Sequence, residues 1–276
     1  MYCRRFVIFV VGELLVYPLL ERKNVKFQKR AISIFEKHRD SLIPEEQEFL
    51  RKAVTPNSER YTPGCKRLGI SNDFYKALAS SNTELIINRE DDPDGNPIVD
   101  FYENGIVLKD GRRLEVDAIA FCTGYQVSKI ENDFDIIGRD GASFKSIFNS
   151  DYGPRAYKSV VMHRFPNFFS CLGANSGIGS NSYLLSLEIG CDYIMEMIYL
   201  MMVRGYKKVE VKREVEEEYC RMMDERMKEM IWTQDERSWY KLNGTGRVHA
   251  LFGYNMFTFW RFLRKPDVGD YLVEKC

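Results

Sequence analysis

The chain has 276 residues and a mass of 32.3 kDa, which suits one large domain or two small ones. Hydrophobic residues make up 45% and charged residues 29%, which excludes a disordered or fibrous chain. Forty basic residues balance forty acidic ones, so no net positive field favours a nucleic-acid partner. Seven scattered cysteines, never in C-x-x-C spacing, are typical of reduced thiols in a cytoplasmic protein and not of a disulfide framework or a zinc site.

Two apolar stretches need to be compared with membrane spans. Residues 6–20 fall short of the roughly 20 residues that a span requires, and Glu13 lies in their middle. A packed helix is the favoured interpretation, with a membrane anchor or a targeting signal as alternatives. Residues 182–203 are long enough, but Glu188, Asp192 and Glu196 fall on one helical face. This spacing predicts a largely buried globular helix with one solvated edge.

The amino-terminal part of the chain has helical patterning, and strands are predicted after it. Residues 1–53 carry apolar side chains at helical spacing, and residues 55–64, with two prolines, are the best linker candidate. Residues 83–90 are predicted to form a short strand. Residues 99–116 alternate in hydropathy and contain Asn-Gly and Asp-Gly, which indicate hairpins.

Two later segments are predicted to be strands that are buried on both faces of a sheet. Residues 116–125 and 165–173 contain uninterrupted apolar runs, which are typical of such strands. The helix over 182–203 follows the second strand directly. A charged amphipathic helix is predicted over 213–231.

The loop between the second buried strand and its helix is the strongest candidate for a ligand site. Its polar and glycine residues are Asn175, Ser176, Gly177, Gly179 and Asn181. Glycines allow close backbone approach, and the free amides of a helix start favour a negatively charged or electron-rich partner. A helix cap with a tight turn is the alternative. The loop is not a dinucleotide fingerprint, because the pattern that begins Gly177-x-Gly179 lacks a third glycine.

A second candidate is the Thr123-Gly124-Tyr125 turn, which ends the first buried strand. Ligands of α/β folds bind at such strand ends, although an ordinary turn would have the same residues. The three histidines, His38, His163 and His249, are far apart and are expected to be surface or core residues. No Walker loop, H-E-x-x-H motif or G-x-S-x-G elbow is present, so no catalytic residue is assigned.

Taken in order, five segments resemble the C-terminal portion of the flavin-containing monooxygenase superfamily, in its Baeyer–Villiger (cyclic-ketone type) and N-hydroxylating branch. The segments are residues 61–78, 82–86, 104–125, 165–182 and 237–271. The D-x-I-x-F-A-T-G-[YF] strand end and the G-x-N-[ST]-G-L-G-H-N-S loop are characteristic of this family. The resemblance covers about residues 61–271.

The resemblance implies an α/β fold: a partial FAD/NAD(P)-binding, Rossmann-like, two-domain flavoprotein fold with an N-terminal helical segment. Residues 1–60 would be a helical remnant of the NADP domain and connecting region, and residues 61–276 the C-terminal half of the FAD-binding domain. The implied cofactors are FAD and NADPH. They would contact the Thr123-Gly124-Tyr125 turn and the loop residues Asn175, Ser176, Gly177, Gly179 and Asn181.

The implied activity is insertion or transfer of one oxygen atom, through a C4a-peroxyflavin, to a small organic carbonyl, amine or sulfide. The implied partner is therefore a small-molecule substrate, and nothing indicates an oligomeric state. A cytoplasmic location is expected, with membrane association through residues 6–20 as the minority alternative.

Three departures from the family pattern qualify this expectation. Both glycine fingerprints, for FAD and for NADPH, are absent from the sequence. Cys122 stands where the family usually has alanine, and Ser180 where it usually has histidine. The chain is therefore expected to be a C-terminal fragment that binds FAD weakly or not at all, because the pyrophosphate seat is missing. The alternative is a non-catalytic remnant or interaction module that binds no flavin.

Overall fold

The computed structural model describes residues 7, 9–55, 63–67, 69, 71–87, 95–124, 134–234 and 238–276. The chain divides into two compact units, each assembled from separate stretches. The first unit contains Met1–Ala31, Asn57–Leu68 and Gln126–Cys276, and the second contains Ile32–Pro56 and Gly69–Tyr125. The domain boundary expected near residue 60 falls within residues 56–62, which lie outside the described residues.

Helices dominate the first 53 residues where they are described, as predicted. A π-helix, Gly12–Val16, and a 3-10 helix, Tyr17–Leu20, form the amino-terminal helical segment. They are followed by α1, Val25–Asp40, and α2, Glu48–Ala53. In the described part of the chain, no helix has both the length and the hydropathy that crossing a membrane requires.

The second unit contains a small antiparallel sheet. After α3, Phe74–Leu78, come β1, Ile98–Tyr102, β2, Gly105–Leu108, and β3, Arg113–Glu115, with β2 in the centre. Tyr102 pairs with Gly105 across a two-residue turn. The predicted hairpins are confirmed. The short strand predicted at 83–90 is wrong for residues 83–87, which lie outside any strand, and residues 88–90 lie outside the described residues.

The two predicted buried strands are not strands among the described residues. Residues 116–124 have no regular structure and are exposed, with Phe121 71% and Ile119 44% accessible. Residues 165–173 likewise form no ladder. A strand that is covered on both faces needs neighbouring strands and packed layers. The described part of the chain pairs no strand with either segment, so their apolar runs alone do not create one.

The first unit contains the main hydrophobic core. Its elements are α4, Phe144–Phe148, α5, Tyr183–Arg204, β4, Tyr206–Val211, α6, Arg213–Met227, α7, Met256–Leu263, and β5, Tyr271–Lys275. β4 and β5 form an antiparallel pair. The core is built from α5, α6, α7 and β4 around Trp232 and Phe252, which are almost fully buried. The predicted amphipathic helix is confirmed as α6, and its Tyr219, Met223 and Met227 are buried.

The helix predicted over 182–203 is confirmed as α5, with Glu188, Asp192 and Glu196 exposed as expected. Its burial is overestimated by the sequence, because only one stripe around Ile189, Tyr193 and Met197 packs inward. On the side that also carries Glu188 and Asp192, a row of exposed apolar side chains, here called the outer face of α5, is accessible to between 63% and 77%. It consists of Leu184, Met195, Tyr199 and Met202.

Candidate functional site

The loop before α5 packs onto residues 248–252 near the end of the chain. Asn175, 3% exposed and with a φ of 57°, is the centre of this contact. Its side-chain amide donates to the carbonyl oxygens of Val248 and Leu251, at 3.2 and 2.8 Å. Its Oδ1 accepts a hydrogen bond from Arg247 at 3.0 Å. Asn175 therefore joins the loop to the carboxyl-terminal segment through both the nitrogen and the oxygen of its side-chain amide.

Protein atoms fill the space beside the two loop glycines. Gly177 forms a parallel bridge with Leu251, and its N–H donates to the Ala250 carbonyl at 2.9 Å. A Cβ on Gly177 would lie 2.7 Å from that oxygen, and a Cβ on Gly179 would lie 2.5 Å from Cζ2 of Trp232. These glycines satisfy internal packing. The close approach that the sequence assigns to a ligand is made here by the protein itself.

The end of the loop contacts the amino-terminal helical segment. The Asn181 side-chain amide donates to the Phe9 carbonyl at 3.2 Å and to the Glu13 carboxylate at 3.1 Å. The same carboxylate accepts from the backbone N–H of Met256, the first residue of α7, at 3.1 Å. The Glu13 carboxylate thus stabilises the positive end of α7 and, through Asn181, the residues just before α5. Sequence reasoning used Glu13 only as an argument against a membrane span.

Replacing Glu13 by alanine should lower the free energy of unfolding of the first unit by about 1–2 kcal/mol. The Met256 N–H would lose its partner and Asn181 one of two acceptors, and an unpaired buried donor costs about that much. Urea unfolding followed by tryptophan fluorescence measures the effect, since Trp232, Trp239 and Trp260 all lie in this unit. Leu14→Ala, at a position 66% exposed in the same segment, is the control and should change little. Equal stability of the two variants would contradict the assigned role of Glu13.

The turn at Thr123 and Gly124 belongs to the second unit, whereas the loop at 175–181 belongs to the first. Both residues are exposed, and Gly124 has a φ of 82°, a conformation that favours glycine. A Cβ on Gly124 would meet no atom of the described residues within 4 Å. Tyr125 lies outside the described residues. The glycine is explained by its backbone conformation, and the cofactor role of this turn stays a prediction.

The sequence did not indicate the buried carboxylate of Glu210 and the groups around it, here called the Glu210 cluster. Glu210 of β4 is 2% exposed and receives two hydrogen bonds from Arg139, at 2.9 and 3.0 Å. It also accepts from the Arg164 backbone N–H at 3.0 Å, and His163 Nδ1 lies 3.3 Å away. Burial alone would raise the pKa of Glu210, but these hydrogen bonds and the Arg139 charge hold it below its ordinary value.

The Glu210 cluster predicts a pH-dependent effect of Arg139→Ala. A lowered folded-state pKa stabilises the fold above the unfolded value of 4.5, and this contribution disappears as the pH falls through the folded-state pKa. The variant should therefore melt below the parent protein at pH 7, and the gap should narrow below about pH 4.5. The control is Glu210→Gln, because a glutamine side chain at this position does not ionise. A gap in melting temperature that does not change between pH 7 and pH 4 would contradict the assignment.

Comparison with known proteins identifies relatives over most of the chain, although no family model matches it. The chain is 33% identical over 223 residues to a protein named Baeyer–Villiger monooxygenase from Pseudomonas aeruginosa, covering 80% of this chain. A protein of the same name from Streptomyces coelicolor is 28% identical over 226 residues, covering 81%. The chain is related to the Baeyer–Villiger monooxygenases. It spans about 40% of the length of these two relatives, which fits the expected C-terminal portion.

Solved structures agree on the fold. The chain matches OTEMO in complex with FAD and NADP with a TM-score of 0.77 at 19% identity, covering 93% of this chain and 46% of that one. It matches cyclohexanone monooxygenase from Rhodococcus sp. Phi1, bound to NADP+, with a TM-score of 0.75 at 20% identity, covering 91% and 46%. The predicted class, a partial α/β flavoprotein fold with N-terminal helices, is confirmed.

The described residues do not form a complete site for a dinucleotide of the kind bound to these neighbours. Ala250 and Trp232 fill the space beside Gly177 and Gly179, and the Asn175 and Asn181 side chains are bound to protein. At the loop, Ser180 Oγ is buried and lacks a partner among the described residues. A single orphaned hydroxyl does not hold a cofactor, and the sequence has no glycine fingerprint for a pyrophosphate. The cofactor roles of the loop residues stay predictions.

Proposed function

We propose that this chain is the carboxyl-terminal part of a FAD- and NADPH-dependent monooxygenase, which inserts or transfers one oxygen atom into a small organic carbonyl, amine or sulfide. The chain acts only together with a part that supplies the glycine fingerprints. Residues 61–276 then correspond to the closing half of the FAD domain, and residues 1–60 to the connecting region. We place the protein in the cytoplasm. The observation that carries the proposal is the 33% identity to the Pseudomonas Baeyer–Villiger monooxygenase.

Exposed apolar surface supports the need for a second part. Groups of exposed large apolar side chains mark interaction surfaces. The outer face of α5 exposes Leu184 and Met202 to 70% and 77%. In the second unit, the segment 116–124 exposes Phe121 to 71% and pairs with no strand among the described residues. Both segments were predicted to be buried, and an additional layer of sheet and helix would bury them.

The test is to purify this chain alone and in co-expression with the part of the Pseudomonas relative that lies outside the match. The chain alone should be colourless, because its loop is filled by protein atoms and it has no pyrophosphate seat. With the added part, flavin should co-purify and NADPH-dependent oxygen uptake should appear. If the chain alone purified with stoichiometric flavin, the conclusion that its flavin site is incomplete would be wrong. A stable complex without flavin would favour the alternative, an interaction module that binds no flavin.

A substitution on the outer face of α5 sharpens this test. Leu184→Asp places a charge on the exposed stripe, so it should weaken assembly with the added part by at least tenfold while leaving the melting temperature of the chain alone unchanged. Val25→Asp, at a position in α1 that is 50% exposed, is the matched control. Equal assembly by the two variants would show that the outer face of α5 is not covered in the complex.

A further inference from the structure

Two free thiols of the first unit lie next to each other at its surface. Cys171, just before the loop, is exposed, and Cys191, in the middle of α5, is half-buried. The Cys191 thiol donates a weak hydrogen bond to the Cys171 sulfur, and the two Sγ atoms are 3.9 Å apart. The two residues are 20 positions apart in sequence, so the fold brings their sulfurs together.

The backbone on both sides of this pair is held in place. Ser170 and Gly173, which flank Cys171, donate backbone hydrogen bonds to the carbonyls of residues 159–160 at 2.8 and 2.9 Å. A Cβ on Gly190 of α5 would lie 3.1 Å from the Cys171 carbonyl oxygen, so the segment and the helix are in contact. A disulfide bond of about 2.05 Å requires the sulfurs to approach by about 1.9 Å, which rotation of the two side chains provides.

We propose that Cys171 and Cys191 are a reversible redox pair, in which hydrogen peroxide converts the two thiols into a disulfide that ties the segment before the loop to α5. Cys171 reacts with peroxide first, because it is the more exposed thiol and because the S–H of Cys191 points to its sulfur. Partial burial, and then the hydrogen bond to Cys171, raise the pKa of the Cys191 thiol, so Cys191 keeps its proton until the second step.

The oxidation has two steps. In the first, the Cys171 thiolate attacks one peroxide oxygen, so that an S–O bond forms, the O–O bond breaks and hydroxide leaves and takes up a proton. In the second, the Cys191 sulfur attacks the Cys171 sulfur, the S–S bond forms, and the S–O bond breaks with loss of hydroxide, which takes the Cys191 proton. The two thiols together lose two electrons and two protons, and one peroxide becomes two waters. A thiol reductant reverses the change.

The disulfide would close a stretch of chain that contains the whole candidate loop. Residues 171–191 include the loop at 175–181 and the first turns of α5. Cross-linking the ends of this stretch restricts the unfolded chain, so oxidation should raise the melting temperature by about 5 °C. The redox pair does not depend on the proposed function.

The experiment treats the full chain, in dilute solution, with hydrogen peroxide. Remaining thiols are then labelled with N-ethylmaleimide under denaturing conditions, and the chain is digested with trypsin. No lysine or arginine lies within residues 165–203, so a single peptide, 165–204, contains both cysteines. This peptide should carry two maleimide groups before oxidation. After oxidation it should carry none and be lighter by two hydrogens, and dithiothreitol should restore the labelling.

Serine variants test the order of the two steps. Cys191→Ser should leave a sulfenic acid on Cys171, which dimedone labels about tenfold more than it labels Cys191 in Cys171→Ser. Neither variant should gain melting temperature after peroxide treatment. Cys276→Ser removes another exposed thiol and is the matched control, which should form the disulfide as the parent chain does.

Three outcomes would overturn the proposal. The first is a 165–204 peptide that stays fully labelled after the exposed Cys276 has been oxidised, or one that is found only as a cross-link between two chains. The second is stronger dimedone labelling of Cys191 than of Cys171, which would contradict the order of the steps. The third is an oxidised chain that melts no later than the reduced chain, which would show that the cross-link does not hold the segment to α5.

Discussion

Gly179→Val should destabilise the first unit by about 3 kcal/mol, close to the upper end for overpacking a well-filled core. The new Cβ would stand 2.5 Å from Cζ2 of Trp232 and 3.0 Å from Cδ1 of Leu20. Trp232 is 1% exposed, and its indole N–H donates to the Gly64 carbonyl at 3.2 Å, so it cannot move aside without losing that bond. Valine adds two more methyl groups to the same space.

Urea unfolding followed by tryptophan fluorescence measures this effect. Val203→Ala is the control, because this side chain lies in the same unit and is 61% exposed, and it should change the free energy of unfolding by less than about 0.5 kcal/mol. The comparison also separates two explanations of the glycine-rich loop. If Gly179→Val kept the stability of the parent chain, the glycine would not be required by packing, and an approach to a bound ligand would be the better explanation.

The helices and the hairpins were predictable because their signals are local. The spacing of Tyr219, Met223 and Met227 specifies the buried side of α6 without reference to any other segment. The turn between β1 and β2 is likewise set by neighbouring residues. Each of these elements lies within one short stretch of chain, so one sequence window contains most of the information that forms it.

The buried strands were not predictable in the same way, because a strand depends on partners from elsewhere. The runs in 116–124 and 165–173 have the composition of inner strands, yet they pair with no strand in the described part of the chain. An apolar composition indicates that a segment can form a strand when other strands and helices pack over it. It does not indicate whether those layers are present. The apolar composition of residues 116–124 and the exposure of Phe121 are both explained if this segment belongs to a fold larger than this chain.

The loop was singled out from sequence as a candidate site, but the contacts made by its residues were not predictable. The approach of a ligand to the loop glycines stays a prediction, and the atoms that lie beside Gly177 and Gly179 in the structure belong to Ala250 and Trp232. Those contacts join residues more than 50 positions apart, and no local pattern encodes them. The same holds for Glu13, whose hydrogen-bond partner Met256 is 243 positions away.

Arg226→Met should lower the free energy of unfolding of the first unit by about 3 kcal/mol. Arg226, on α6, is only 13% exposed in its side chain and pairs with Glu21, equally buried, at 2.5 Å. It also donates to the Tyr17 hydroxyl at 2.6 Å and to the Gly253 carbonyl at 3.0 Å. Burial alone would lower the pKa of Arg226, but its hydrogen bonds to Glu21 and Tyr17 raise it above the ordinary value.

Methionine preserves most of the aliphatic stem of Arg226, so the variant tests the charge more than the packing. It leaves the buried Glu21 carboxylate with the Asn24 amide at 3.1 Å and the exposed Lys23 at 3.6 Å, which compensate its charge less well than Arg226, and this deficit is the main source of the expected loss. The double variant Arg226→Met with Glu21→Gln should recover most of the stability, because removing both charges removes this deficit. A double variant as unstable as the single one would show that packing, not charge, is responsible.

An exposed ion pair provides the matched control for Arg226. Arg213 and Glu217 lie on the same helix, α6, at 2.7 Å, with side chains 74% and 46% accessible. Solvent screens such a pair, so Arg213→Met should leave unfolding unchanged within error. Arg226 differs from Arg213 because its partners Glu21 and Tyr17 belong to the amino-terminal part of the chain. Its loss should therefore also release that part, which limited proteolysis near residue 20 detects as faster cleavage in Arg226→Met than in Arg213→Met.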